Sequence, residues 1–388
     1  MVLSHATSLR GLPPVAAPDL SGQRRYWHTL TQAGDATYSY GGSDTSLNPA
    51  LSTDYGGVWE FDGTAKSWSL RDVIGETTVT ARGRIRVDSM VRKSAHCAVW
   101  TGESLLAYGG AGYLSVTTNR GLKTNLIEFR PLPNRSLFQT MLSRNVSLTG
   151  ADASGWPPLR YLMSCIWDSH RRSMIVFGGT LDSDPLFGDW GTSVGTSDRR
   201  YHPNQTDELW EYHFDSNTWT NLTASAKMNS LSSPSARAYH TAVWESTTDT
   251  MYVYGGVEYS RTTQAGETFR NDVWAYIRGA NMWEQLVATM PTARFGHMAA
   301  ATGTSMYVYG GVLEGFVLGA NDCLWEFSYA SKSWSQLGNS NSCFVHSASL
   351  FGSATFDGCR NKVLFYGFQD NFGRGDFFFQ YGLPAPGS

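Results

Sequence analysis

Nine histidines and five cysteines are the side chains in this chain best suited to hold a metal or to act as nucleophiles. Five of the histidines, His28, His96, His240, His297 and His346, recur at one place in a repeated segment. Metal ligands must converge on a point, whereas a residue that recurs once per unit spreads outward with the units. These five therefore read as a structural device that hydrogen-bonds between strands or repeats. His170 falls in a turn, His213 on a strand, and His202 in the longest loop. Cys97, Cys165, Cys323, Cys343 and Cys359 are odd in number and widely spaced, with no C-x-x-C pair, which argues against zinc. They read as small apolar strand residues, with one disulfide allowed that spacing does not place. Asp182, Asp184 and Asp189 offer oxygens of the kind calcium takes, but the EF-hand pattern is absent and loop Asp commonly caps turns. No Ser-His-Asp order, phosphate loop or nucleotide fingerprint is present.

Two sets of cationic and aromatic residues are candidates for binding. The first lies in long connections: Arg82, Arg84 and Arg86, then Tyr113, then Phe187, Trp190, Arg199, Arg200, Tyr201 and His202, then Tyr259 and Arg261. Arg and aromatic side chains dominate interface hot spots, so such a surface suits an acidic or mixed-charge peptide. The competing reading is that these side chains fold the loops onto the body or are solvated. The second set, Arg25, Lys93, Arg160, Arg237 and Arg294, opens successive repeated segments. It reads either as a ring of internal salt bridges or as a basic rim that receives carboxylates, which the guanidinium fork matches bidentately.

The elements that position these residues repeat. An aromatic-glycine step closes a short apolar strand at Tyr40-Gly41-Gly42, Tyr108-Gly109-Gly110, Phe177-Gly178-Gly179, Tyr254-Gly255-Gly256, Tyr309-Gly310-Gly311 and Tyr366-Gly367. A glycine-bearing strand repeat of more than about 50 residues points to a propeller. Alternating Arg237 to Trp244, then Met251 to Gly256, Asp272 to Tyr276 and Trp283 to Leu286 show four strands in one unit. First-to-second and third-to-fourth connections are short. Second-to-third connections (43–57, 111–124, 180–206, 257–271, 312–322) and several unit-to-unit connections (71–92, 130–158, 223–236) are long. In an antiparallel four-stranded unit both long classes emerge on one face, and long loops in compact domains usually carry function or are disordered.

The pattern of Arg237-x-x-His240, Tyr252-Val-Tyr-Gly-Gly256, Leu209-Trp-Glu-Tyr212 and Trp219-x-x-Leu222 resembles the kelch repeat over nearly the whole chain. The resemblance implies an all-β, six-bladed propeller of four-stranded antiparallel blades with the first strand innermost. Its expected limits are 25–70, 93–129 with a fourth strand within 130–150, 160–222, 237–286, 294–337 and 344–381. Kelch-like rings commonly close by borrowing a terminal strand, so Val2 to Leu9, within a 1–20 closing segment, is expected to complete blade six. Two enzyme-like kelch relatives are weighed. A copper radical oxidase resembling galactose oxidase needs two His, two Tyr and a Cys in one cluster, commonly on seven blades. A nitrile-specifier type also resembles a six-bladed kelch ring, with iron ligands spaced E-x-x-x-D-x-x-x-H. Asp198 and His202 match its second half, but Val194 stands where Glu is needed, so the metal triad is incomplete.

Charged residues make up 16% and aromatics 13%, with a formal net charge of −3. The low charge leaves no bulk electrostatic attraction for nucleic acid or anionic membrane. No apolar run is long enough to span a bilayer, and residues 1–20 lack a charged start followed by an apolar stretch. Sequons at Asn134, Asn145, Asn204 and Asn221 are about as many as chance gives. The resulting expectation is one 1–388 domain: a soluble, monomeric, non-catalytic propeller, cytoplasmic or extracellular, that binds a protein or peptide through its long-loop face without a cofactor. The alternative is a metal-dependent enzyme or specifier protein with its site at the channel mouth of that face. Carbohydrate binding through loop tryptophans Trp156 and Trp190 is a third, thinner reading.

Overall fold

A computed structural model describes residues 26–43, 57–75, 79–80, 83–84, 93–113, 120–122, 126–131, 137–143, 155–158, 160–181, 205–259, 267–286, 291–314, 323–337, 349–369 and 375–384. They form six blades arranged in a ring, a β-propeller. Blade four shows the unit: Thr241–Glu245, Thr250–Tyr254, Val273–Ile277 and Met282–Leu286 pair in that order, all antiparallel. The second strand, Thr-Met-Tyr-Val-Tyr, is buried at every position because neighbouring blades cover both of its faces. Blades three and five repeat the four-strand order. Blade two ends on Leu137–Ser143. That strand pairs in parallel with the end of blade one's last strand, Leu137 opposite Asp72 through Thr140 opposite Gly75, so blades one and two share one eight-stranded sheet. Parallel pairing follows from the ring, since outermost strands of adjacent blades run in the same direction.

The ring closes at its axis. One residue at the start of each inner strand donates its backbone N–H to the same place in the preceding blade: Ala95 to Trp27, Leu162 to Ala95, Tyr239 to Leu162, Gly296 to Tyr239, Phe351 to Gly296 and Trp27 to Phe351, at 2.8–3.2 Å. All six residues take positive φ, between 53° and 64°. For the five that are not glycine this costs about 1–2 kcal/mol each, offset by hydrogen bonds that would otherwise be missing at the core of the ring. Their side chains, with Phe295, fill the axis: Tyr239 and Phe351 lie 5.4 Å apart and Trp27 and Phe351 5.6 Å apart, centroid to centroid.

This ring also fixes the register of blade six. Phe351 stands at the axial place, so the position equivalent to the repeat histidine is Gly352, and Ser349 takes the place of the Arg. The assignment of His346 to that position is therefore corrected, the equivalent place lying six residues further on at Gly352; His346 itself lies outside the described residues. Blade six has three described strands, Ser349–Asp357, Lys362–Gln369 and Gly375–Gly382. The expected closing segment, residues 2–9, lies outside the described residues.

The double glycines join blades. In blade four Gly256 (φ +94°) donates its N–H to the Arg294 carbonyl of blade five at 2.9 Å, and a Cβ there would lie 2.8 Å from the Ala238 carbonyl oxygen. Only glycine allows both that φ and that approach. On the opposite face, short turns are clasped by ions: Arg171 bridges Asp168 of its own blade (2.7 Å) and Asp249 of the next (2.9 Å), and Arg172 bridges Asp215 (2.9 Å) and Glu103 (2.8 Å). A short helix, Thr223–Met228, fills the outer wedge between blades three and four, with Ala226 buried and Met228 exposed.

The cysteines depart from the expectation of inert apolar residues. Cys97 and Cys165, on the inner strands of blades two and three, form a disulfide. Cys323 is also disulfide-bonded, with its partner outside the described residues, and Cys359 is free and exposed.

Candidate functional site: the long-loop face

The repeat arginines are buried side chains engaged inside their own blades. Arg160 and Arg237 are 0% exposed and Arg294 3%. Each directs Nη1 to the carbonyl of the first glycine of its blade: Arg160 to Gly178 (3.4 Å), Arg237 to Gly255 (3.1 Å), Arg294 to Gly310 (2.9 Å). Each Nε donates to a carbonyl two residues earlier. Arg237 forms a bidentate pair with Asp272 at 2.6 and 2.9 Å, and Arg160 pairs with Glu208. The same carboxylates accept from the indoles of Trp274 (2.7 Å) and Trp210 (3.0 Å). Burial pushes the Asp272 carboxyl up, but the Arg237 hydrogen bonds and charge outweigh it and hold it below the usual range. Lys93 is likewise 0% exposed. Arg25 lies outside the described residues. This geometry matches the internal-salt-bridge reading of the ring for Arg160 and Arg237, and the axis beside it is filled by apolar side chains.

The repeat histidines bind the preceding blade. Nε2 of His96, His240 and His297 meets the hydroxyls of Thr29 (3.3 Å), Ser164 (2.7 Å) and Thr241 (2.8 Å). Burial, followed by the charge of Arg237, lowers His240 to about 3; burial likewise lowers His96 and His297. They are neutral inter-blade links, spaced around the ring.

Among the described residues, one trio has metal-ligand chemistry: Asp168, His170 and Asp249, with ligand atoms within 4.8 Å of one another. It sits on the short-turn side, and the chain supplies its cation, since the Arg171 guanidinium lies between the two carboxylates. Asp168 also accepts the backbone N–H groups of His170 (2.9 Å) and Arg171 (3.2 Å), the ordinary work of a turn residue.

Among the described residues three of the long connections build β-ribbons. Val79–Thr80 pairs with Gly83–Arg84 between blades one and two. Ala111–Tyr113 pairs with Arg120–Leu122 above blade two, and Val257–Tyr259 with Glu267–Phe269 above blade four. Arg84, Tyr113 and Tyr259 thus each lie on a ribbon strand of a long connection. An Arg270–Glu258 ion pair spans the blade-four ribbon, and Gln205 Nε2 donates to the Val257 carbonyl (3.0 Å), tying the blade-three connection to it. Arg82, Arg86, Phe187, Trp190, Asp198, Arg199, Arg200, Tyr201, His202 and Arg261 lie outside the described residues. Two features escaped sequence reasoning. One is the axial ring, whose residues share a backbone angle and no side-chain type. The other is the identity of the carboxylates that pair with Arg160 and Arg237, signalled by an acid two residues before the third-strand Trp in Glu208-Leu209-Trp210 and Asp272-Val273-Trp274.

A sequence model of the Attractin/LZTR1 beta-propeller matches residues 14–314. The chain belongs to that β-propeller family. The match covers the first four blades and much of the fifth. Among curated proteins the chain is similar to the leucine-zipper-like transcriptional regulator 1 homolog of Drosophila melanogaster, 21% identical over 337 residues, covering 79% of this chain and 31% of that protein. It is also similar to Kelch domain-containing protein 10 of Homo sapiens and Bos taurus, each 29% identical over 213 residues, covering 54% of this chain and 38% of theirs. The chain thus spans about a third of the length of these relatives. A kelch-type propeller with such relatives points to a protein-interaction role. No helix among the described residues is long and apolar enough to cross a membrane.

Proposed function

We propose that this propeller holds a protein or peptide segment on its long-loop face. The observation that carries the reading is the asymmetry of the connections: three long ones build β-ribbons, while short turns are clasped by Arg171 and Arg172, which supports one elaborated face. In this reading the surface is formed by Arg84, Tyr113 and Tyr259, with Arg82, Arg86, Phe187, Trp190, Arg199, Arg200, Tyr201, His202 and Arg261 contributed by the long connections 71–92, 180–206 and 257–271. Arg and aromatic residues favour an acidic or mixed-charge segment. The filled axis supports contact across loop tips in place of insertion along a channel. Affinity capture with the intact chain, compared with the Arg84→Ala/Tyr113→Ala/Tyr259→Ala variant, tests this. The expected result is loss of captured proteins with an unchanged melting temperature. Equal capture by both proteins refutes it. Metal analysis of the purified chain checks the alternative: stoichiometric iron or copper lost on His202→Ala supports a metal-dependent site instead.

A further inference from the structure

The junction between blades two and three departs from its neighbours. At three junctions a hydroxyl of one blade meets an imidazole of the next: Thr29 with His96, Ser164 with His240, Thr241 with His297. Between blades two and three the hydroxyl's place is taken by Cys97 and the imidazole's by Met163. There Cys97 is joined to Cys165, with Cα atoms 5.8 Å apart. A covalent bond stands where those three junctions have a hydrogen bond. Cys323 is disulfide-bonded as well, so three of the four described cysteines are oxidised. Disulfides of this kind form and persist in oxidising compartments.

One of the four sequons lies in described structure, and its geometry suits that compartment. Asn221 ends the outermost strand of blade three, Thr218–Asn221, and is exposed. Its Oδ1 accepts the Thr223 N–H at 2.9 Å, while Leu222 between them is buried in the core. The side chain is held in a turn, and its Nδ2 has no partner among the described residues. Thr223 Oγ1 accepts the Leu209 N–H at 2.9 Å in the finished fold. A sequon must present both Asn and Thr to be modified, so modification precedes docking of this strand.

We propose that Asn221 carries an N-linked glycan, added in the oxidising compartment where Cys97 and Cys165 pair. The amide nitrogen attacks the anomeric carbon of a lipid-linked oligosaccharide pyrophosphate. The C1–Nδ2 bond forms, the C1–O bond to pyrophosphate breaks, and the amide gives up one proton. The two thiols lose two electrons and two protons to a disulfide oxidant, itself reduced to a dithiol. The glycan stands on the outer edge of blade three, at the perimeter of the disc and away from the axis. It shields the free side of an edge strand, which otherwise invites pairing with other chains.

The modification state is the deciding measurement. Protein recovered from its native cells is alkylated without reduction, digested, and mapped by mass spectrometry before and after peptide-N-glycosidase treatment in heavy-oxygen water. The expected result is that most of the Asn221 peptide is converted to labelled Asp and that Cys97 and Cys165 peptides run linked. An Asn221→Gln variant made in the same cells should lose one glycan's mass and keep the disulfide. An unmodified Asn221 peptide overturns the proposal. So does alkylation of both cysteines as free thiols.

Discussion

Removing the carboxylate of Asp272 is the sharpest test of what the repeat arginines do. Arg237 is fully buried, with Nη1 and Nη2 bonded to Asp272 at 2.6 and 2.9 Å. In Asp272→Ala the guanidinium stays charged and buried, with only backbone carbonyls and Ser235 left to it. Breaking one side of such a pair costs about 3–5 kcal/mol. For a chain of 388 residues the unfolding entropy is about 0.8 kcal/mol/K. The melting temperature should therefore fall by about 4–6 °C. Calorimetry at pH 7 reads this directly. A double variant, Arg237→Met with Asp272→Leu, should recover much of the loss, because apolar replacement removes both charges together. A single variant that melts within about 1 °C of the parent, while losing a bound partner, would refute the staple and restore the basic-rim reading.

Four further outcomes are expected. Gly256→Ala places a methyl group 2.8 Å from the Ala238 carbonyl at a φ of +94°, and should cost about 2 kcal/mol or more in urea unfolding. His240 has its folded pKa lowered from 6.5 to about 3, with His96 and His297 lowered in the same direction. Below pH 6.5 the unfolded chain takes up protons that the fold refuses, so stability is complete above that pH and falls as pH drops toward 3. For His240 the loss should be about 2 kcal/mol between pH 7 and 5, with His96 and His297 acting in the same direction, and flat urea midpoints over that range would count against buried neutral imidazoles. Cys97→Ser with Cys165→Ser opens a loop spanning 68 residues and should cost about 4 kcal/mol by the chain-entropy estimate, readable as a lower melting temperature than the oxidised parent. Deleting residues 1–12 should lower the melting temperature by removing the proposed outer strand of blade six; no change would dismiss that strand.

The fold was legible because its signal is redundant. Four near-copies of an aromatic-glycine strand followed by a Trp-bearing strand, with two looser copies, leave little room for another architecture. Blade six was misregistered for a physical reason: Ser349-Leu-Phe-Gly352 has lost both the Arg and the His, while His346 imitates the missing residue nearby. The axial ring was invisible because a left-handed backbone at Trp27, Ala95, Leu162, Tyr239 and Phe351 is imposed by neighbouring blades and written in no shared side chain. Burial of the arginines was hidden because their carboxylates stand 48 and 35 residues further on, at Glu208 and Asp272. The disulfide was hidden for the same reason, since strand adjacency across blades is a property of the closed ring. The candidate face was readable only as loop length, which says where a surface grows and nothing of its shape.

The locks on this ring are unevenly placed, and that constrains where binding can evolve without unfolding the disc. Backbone hydrogen bonds close the axis, histidines and one disulfide join inner strands, Arg160 and Arg237 staple blades three and four, and ion pairs clasp the short turns. Every one of these devices uses an inner strand, a double glycine or a short turn. The second-to-third connections contribute to them mainly at their ends, through Glu208 and Asp272. Their middles are therefore free to vary in length and sequence at little cost to the ring. Substitutions at the axis or in the staples should change melting temperature first and partner capture only as a consequence, whereas substitutions on the ribbons should do the reverse.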